Sequence, residues 1–283
     1  MLYFDHAATT PVHPDVAKKM DQVSKQNYGN PSSIYSSGRS SRSIIENARN
    51  QVAKMIEAHP SEIFFTGSGT ESNNIVIWSI LHQKKKHVIT SAIEHPAVLK
   101  VLSELNHFGL TYDILPVDST GLINPADLKS AIKSNTGLIS IMHINNEVGT
   151  VQKIEKLIQI AKEHSVLFHS DCVQSIGKIP ISTKKLEADY MSFSAHKFYG
   201  PKGIGFLFKK KGLSLKPLII GGGQESSIRA GTENLSGIAG LGVASQLVSE
   251  QIDGRIDHLR KLEKYFKAII TKECPEIIFH GNE

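Results

Sequence analysis

Four side chains in this sequence stand where a parallel α/β sheet would gather its chemistry. His95, Asn146 and Asp171 each follow a strand-like run, and Lys197 closes the segment from Ser192 through Ser194, Ala195 and His196 after a fourth, with Gly200, Pro201 and Gly203 turning the chain back. Ligands of open parallel sheets sit beyond the carboxyl ends of the strands, so these residues share one rim. Taken singly they say little. A lone lysine is a surface charge, an aspartate near a strand end is a turn or cap, and a histidine is a satisfied polar residue. Together they supply an amine for an aldehyde, an acid for a ring nitrogen and a flat partner for a ring, which is the set that pyridoxal 5'-phosphate requires.

The phosphate of such a group needs donors, and the segment from Thr66 to Asn74, Thr-Gly-Ser-Gly-Thr-Glu-Ser-Asn-Asn, offers them where a strand enters a helix through small residues. Exposed backbone N–H groups and the helix dipole would face a dianion there. A plain glycine-rich turn explains the glycines but not the clustered hydroxyls of Ser68 and Thr70. The segment is not a nucleotide P-loop, since no Gly-Lys-Ser/Thr follows at the required spacing, and Ser72 stands where the last glycine of a dinucleotide fingerprint belongs.

Positioning these side chains takes alternating strands and helices, and the apolar pattern supplies them. Glu62–Thr66, His87–Ala92, Gly137–Ile144, Val166–His169 and Tyr190–Phe193 read as strands. Gly69–Leu81 reads as a helix, and Lys153–His164 as another with Ile154, Leu157, Ile158 and Ala161 on one stripe. Asn124 before Pro125 starts a helix through Ile132. No repeat or low-complexity segment interrupts the alternation, which predicts an α/β fold with a mainly parallel sheet. Past Gly221–Gly223 come a small-residue helix around Ser236–Val248, a charged helix near Ile252–Thr271 and a strand-like Ile277–His280. A domain boundary is expected there, with a large domain over 1–250 and the opening of a smaller one over 251–283.

The bulk composition agrees. With 283 residues and 40% hydrophobic content, the chain can form one large domain and part of a second, which excludes disordered and fibrous classes. A formal charge of +5 suits an anionic ligand. The basic residues occur only in short runs, Lys84–Lys86 and Lys209–Lys211, without interleaved aromatics, so direct nucleic-acid binding is not expected. The first residues lack the basic patch and apolar run of a signal peptide, and no later apolar run is long enough to span a bilayer. A cytoplasmic protein with no membrane association is the expectation. Cys172 and Cys274 are too few for a disulfide framework or a zinc cluster, and no metal is expected.

Seven ordered motifs resemble those of cysteine desulfurases, class V members of the fold-type I aminotransferase superfamily. They are Asp-His-Ala-Ala-Thr-Thr-Pro (5 to 11), Gly-Thr-Glu-Ser-Asn-Asn (69 to 74), Glu-His (94 to 95), His-Ile-Asn-Asn-Glu-Val-Gly (143 to 149), Asp-Cys-Val-Gln-Ser-Ile-Gly-Lys (171 to 178), Ser-Phe-Ser-Ala-His-Lys-Phe-Tyr-Gly-Pro-Lys-Gly (192 to 203) and Arg-Ala-Gly-Thr-Glu (229 to 233). The resemblance implies the pyridoxal-phosphate-dependent transferase fold. Its large domain has a mainly parallel seven-stranded sheet sandwiched by helices. A small C-terminal α+β domain would be incomplete in this chain, with roughly residues 1–15 packing toward it.

For the site, the resemblance makes Lys197 the carrier of the cofactor as a Schiff base and a catalytic residue, His95 a catalytic ring stacked over it, and Asp171 the partner of the pyridine nitrogen. An ionised aspartate keeps that nitrogen protonated, and the lysine must lose its proton to attack or to act as a base. Gln174 would donate to the phenolic oxygen. Gly69, Thr70, Ser194 and His196 would surround the phosphate, and Asn146 would lie near both cofactor and substrate carboxylate. A threonine from the neighbouring subunit maps to Thr232, which implies a homodimer, with Arg229 supporting its loop. The implied reaction takes sulfur from L-cysteine, leaving L-alanine and a persulfide on an enzyme cysteine. The sulfur would pass to an acceptor protein, an iron–sulfur scaffold or a tRNA-thiolation enzyme.

Two parts of the family pattern are not found here: the nucleophilic cysteine on a mobile loop and the arginine after it that grips the substrate carboxylate. Cys172 adjoins Asp171, but strand alternation points it to the opposite face and into the core. Cys274 precedes Pro275 at a helix end, far from the rim in sequence. The expectation is a polypeptide that binds the cofactor without completing sulfur transfer by itself. Two other readings stay open: a different activity on the same site, as selenocysteine lyase, cysteine sulfinate-type lyase or aminotransferase, and a non-catalytic scaffold that has kept the fold.

Overall fold

Short apolar runs rich in Ile, Val, Leu and Phe form the sheet, and most are buried along their whole length, as strands covered on both faces must be. The computed structural model describes residues 2–282. Its strands are β1 (Ile63–Thr66), β2 (His87–Ser91), β3 (Thr111–Leu115), β4 (Thr136–Ser140), β5 (Leu167–Asp171), β6 (Tyr190–Ser194) and β7 (Gly205–Lys209). They make one seven-stranded sheet in the order β1-β7-β6-β5-β4-β2-β3. β7 is antiparallel to both neighbours, and the other pairings are parallel. The mainly parallel α/β sheet read from the sequence is the one observed.

The helices are α1 (Pro14–Gln26), α2 (Ser36–Met55), α3 (Gly69–Leu81), α4 (Pro96–Asn106), α5 (Pro125–Ala131), α6 (Ile154–Glu163), the single turn α7 (Thr183–Leu186) and α8 (Leu235–Glu273). They cover both faces, and side-chain alternation along the strands divides the core accordingly. Ile63, Phe65, Ile89 and Ile139 join the cluster under α2, α6 and α8. Phe64, Val88, Leu138 and Leu207 join the one under α3 and α4. The sheet therefore presents a rigid edge at the carboxyl ends of β1, β2, β4, β5 and β6, where Asp171 closes β5 and the segments that carry Thr70, His95, Asn146 and Lys197 emerge.

Three expected elements differ. The run to Ile144 leaves regular strand geometry after Ser140, although the N–H groups of Ile141 and His143 still donate to His169 and Asp171 of β5. The two expected C-terminal helices are one continuous helix, α8, because Ser249 to Gln251 between them contains neither proline nor a glycine cap that would stop it. Ile277–His280 forms no strand; Ile278 and Phe279 are exposed, and no neighbouring strand pairs with them.

Candidate active site

The entrance to α3 shows how local sequence builds an anion-binding turn. Ser68 caps the helix by accepting from the Glu71 N–H at 3.1 Å, and the Glu71 carboxylate accepts from the Gly67 N–H at 2.9 Å. Capping therefore uses the Ser68 oxygen that the sequence grouped with Thr70. Among the described residues nothing accepts from the N–H groups of Gly69 and Thr70, and the Thr70 hydroxyl is unpartnered as well. Gly69 must be glycine for a packing reason: a Cβ there would lie 2.4 Å from Val173 Cγ2. The turn thus sits directly on the loop after β5.

β5 ends in Asp171 and that loop carries Gln174, both buried. Asp171 Oδ1 accepts from the Val173 N–H at 3.0 Å and Oδ2 from Asn73 Nδ2 at 2.7 Å, which fixes the carboxylate. Burial raises its pKa, opposed by those two donors and by the charges of His95 and Lys197. A cation brought against it would restore full ionisation. Lys197 is half-buried on the 3-10 turn after β6. Burial lowers its pKa, while Asp171, Asp5 and Glu147 hold it up.

The N-terminal segment closes one side. Lys197 Nζ donates to the carbonyls of Ala7 and Ala8 at 2.6 and 2.8 Å, and Gln174 Nε2 donates to the same Ala7 oxygen at 2.9 Å. One oxygen is thus cradled between an amine and an amide, in a cavity that the Asp171 carboxylate also lines. Thr10 anchors the segment by donating to the His196 carbonyl through both its N–H and its hydroxyl. His196 Nδ1 lies 3.1 Å from Thr9 Oγ1, and burial, with Lys197 and Lys202 nearby, lowers the imidazole to about 4, so it is neutral at physiological pH.

His95 and Asn146 come from loops that buried groups tie together. His95 is exposed at the cavity and caps α4, its Nδ1 accepting from the Ala97 N–H at 3.0 Å. Of two adjacent asparagines, Asn145 is spent on structure, donating to Ile93 and accepting from the Glu147 and Val148 N–H groups. That leaves Asn146, half-buried, to face the cavity. Glu94 links the same loops, accepting from Ser91 Oγ at 2.6 Å and the Met142 N–H at 2.8 Å. Burial pushes its pKa up to about 8, so it is a neutral acid at pH 7.

Every expected site residue except Thr232 lines one cavity of about 510 Å³. Gly69, Thr70 and Ser194 lie toward its helix-start end, and Asp171, Gln174 and Lys197 line it as well. Thr232 is exposed and borders a separate hollow behind the β1–α3 turn, beside Thr66 and Gly67. Arg229 pairs with Glu71 at 2.9 Å. A roomier hollow of about 670 Å³ beside α2 contains no lysine and has no part in this chemistry. Asn73, Glu94 and the carbonyls of Ala7 and Ala8 were not singled out as site groups from sequence. Only Asn73 left a usable signal, four residues after Gly69 and so on the same face of α3.

The donor set fits pyridoxal phosphate: free N–H groups and hydroxyls for a dianion, a buried carboxylate in need of a cation, and an amine and an amide already sharing one oxygen. Comparison with known proteins agrees. The aminotransferase class-V family model matches residues 2–281. A cysteine desulfurase IscS of Dictyoglomus turgidum is 47% identical over 283 residues, covering 99% of this chain and 72% of that protein. A solved NifS-like protein superposes with a TM-score of 0.93 at 41% identity, over 96% of this chain and 76% of that one. The structure of SspA in complex with cysteine superposes at 0.85, again with 41% identity, over 87% and 72%. The chain belongs to the class V aminotransferase family and, within it, to the pyridoxal-phosphate-dependent cysteine desulfurases.

Proposed function

We propose that this chain holds pyridoxal 5'-phosphate on Lys197 and presents it to L-cysteine for removal of the sulfur as a cysteine desulfurase does. The observation that carries the reading is the single Ala7 oxygen bound by both Lys197 Nζ and Gln174 Nε2, with Asp171 lining the same cavity. When bound, the cofactor supplies an aldehyde that condenses with amines and a ring that draws electrons from the substrate Cα. Lys197, with its proton loosened by burial, would hold that aldehyde and afterwards accept the Cα proton on Nζ. Asp171, braced by Asn73, would keep a proton on the ring nitrogen. Gln174 would donate to the phenolic oxygen, His95 would cover the ring, and Gly69, Thr70, Ser194 and His196 would hold the phosphate. Asn146 would orient the substrate carboxylate.

Neither cysteine of the chain is placed to receive sulfur at this cavity. Cys172 is fully buried in the core beneath α8, with its thiol pKa driven up by burial, and Cys274 is exposed at the end of α8. A thiol from elsewhere completes the exchange: it attacks the substrate sulfur, the C–S bond breaks toward carbon, and a persulfide and alanine result. A second copy of the chain, supplying Thr232, a sulfur-acceptor protein and a cytoplasmic setting complete the reading.

The test is product analysis. Protein loaded with cofactor and given L-cysteine and dithiothreitol as sulfur acceptor should form L-alanine. A keto acid in place of alanine would make the chain an aminotransferase, and an unaltered visible spectrum on adding L-cysteine would leave only the scaffold reading.

A further inference from the structure

Lys178 lies outside the cavity, yet it is the residue that determines how Gln174 faces it. The amide of Gln174 has two ends that differ only in which accepts and which donates. Lys178 Nζ donates to Gln174 Oε1, and an ammonium can only donate, so the oxygen is held away from the cavity and the NH₂ is left to donate into it, to the Ala7 carbonyl. Lys178 is half-buried, and Gln174 Oε1 is the acceptor found for its ammonium. Burial, with Lys197 as the neighbouring like charge, lowers its pKa to about 8, which leaves it largely charged at pH 7.

Resting on the cofactor reading above, we propose that Lys178 is a positioning residue: it locks the Gln174 amide as a donor toward the cofactor's phenolic oxygen and sets a positive charge behind it. Both effects act in one direction. A donor and a cation on that side favour negative charge on the phenolic oxygen and disfavour positive charge on the nitrogen that Lys197 contributes. The other charged groups facing that nitrogen are Asp171, Asp5 and Glu147, all of which favour its protonation; His196 is neutral. Lys178 is the counterweight to these three carboxylates. Without it the amide is free to turn its oxygen inward, and the nitrogen keeps its proton to higher pH.

The experiment is a pH titration of the visible band of the cofactor-loaded protein, in wild type, Lys178→Met and Lys178→Arg. The expected result is a midpoint raised by roughly one pH unit in Lys178→Met, the size of effect one nearby charge exerts in a partly buried site, and a wild-type midpoint in Lys178→Arg. A wild-type midpoint in Lys178→Met, or an equal rise in Lys178→Arg, overturns the proposal. If Lys178→Met does not take up cofactor, Lys178→Gln carries the same expectation. Loss of cofactor by both while Lys178→Arg binds with a normal midpoint supports the need for the charge. Loss of circular-dichroism structure by all three makes the role one of folding only and refutes it. A wild-type protein that stays colourless with pyridoxal phosphate fails the underlying reading instead, which keeps the two failures apart.

Discussion

Burial works against charge on both partners that face the cavity, lowering the pKa of Lys197 and raising that of Asp171, while each supports ionisation of the other. Glu94 goes further: burial outweighs its two hydrogen bonds, the like charge of Asp171 adds to it, and it stays protonated to about 8. Its folded state therefore binds a proton that the unfolded chain has released above about 4.5, and the stability this contributes is lost as pH rises toward about 8. The urea midpoint of the cofactor-free wild type should accordingly fall relative to that of Glu94→Gln as pH rises across that interval; a constant difference would mean that Glu94 is ionised. His143 and His169 act oppositely. Burial lowers them to about 4 and about 3, so the stability they contribute is lost as pH falls below their unfolded value near 6.5. Lys197, Asp171 and His95, which line the cavity at or just after strand ends, were legible because strand ends mark the rim. Asn146 was singled out, but the structural work of Asn145 beside it was not foreseen, and the capping role of Ser68 could not be told from phosphate binding, because each depends on which backbone group lies within reach.

At the level of elements, the sequence pattern placed α3 at Gly69–Leu81, as observed, and the structure adds Ser68 as its cap. Ser68→Ala should cost about 1 kcal/mol in chemical denaturation, the usual value of an N-cap, while Gly69→Ala should cost more, about 1–3 kcal/mol, through overpacking against Val173. Equal small losses would mean that the close approach of α3 to the β5 loop does not matter. β3 and β7 were not picked out from the pattern: β3 is a partly exposed edge strand, and β7 returns antiparallel after the Lys197 turn, a partner choice that only the assembled sheet reveals. The merged helix α8 is instructive. It runs through the proposed boundary at 250 without a break, yet its buried residues end at Val248. The small-residue half packs on the core and the charged half leaves it, so the change of composition recorded a change of environment rather than a change of element.

Across the whole molecule, two ion pairs fasten the segment that precedes α8 to α2 and α3. Arg49 grips Glu225 in a two-pronged contact at 2.8 Å, and Glu225 also accepts from the Phe65 N–H, while Arg229 pairs with Glu71 at the start of α3. Glu225 is almost wholly buried, so Arg49→Ala should lose about 3–5 kcal/mol, the cost of stranding a buried charge; a loss below about 1 kcal/mol, typical of a surface pair, would contradict it. Thr232, carried on that segment, stays exposed and apart from the cavity of its own chain. The most direct measurement concerns Lys197. Wild-type protein incubated with pyridoxal phosphate should turn yellow, and borohydride should fix the label on the peptide containing Lys197, whereas Lys197→Ala should yield no covalent label. A label of equal intensity in Lys197→Ala, or one fixed on another lysine of the wild type, would contradict the assignment.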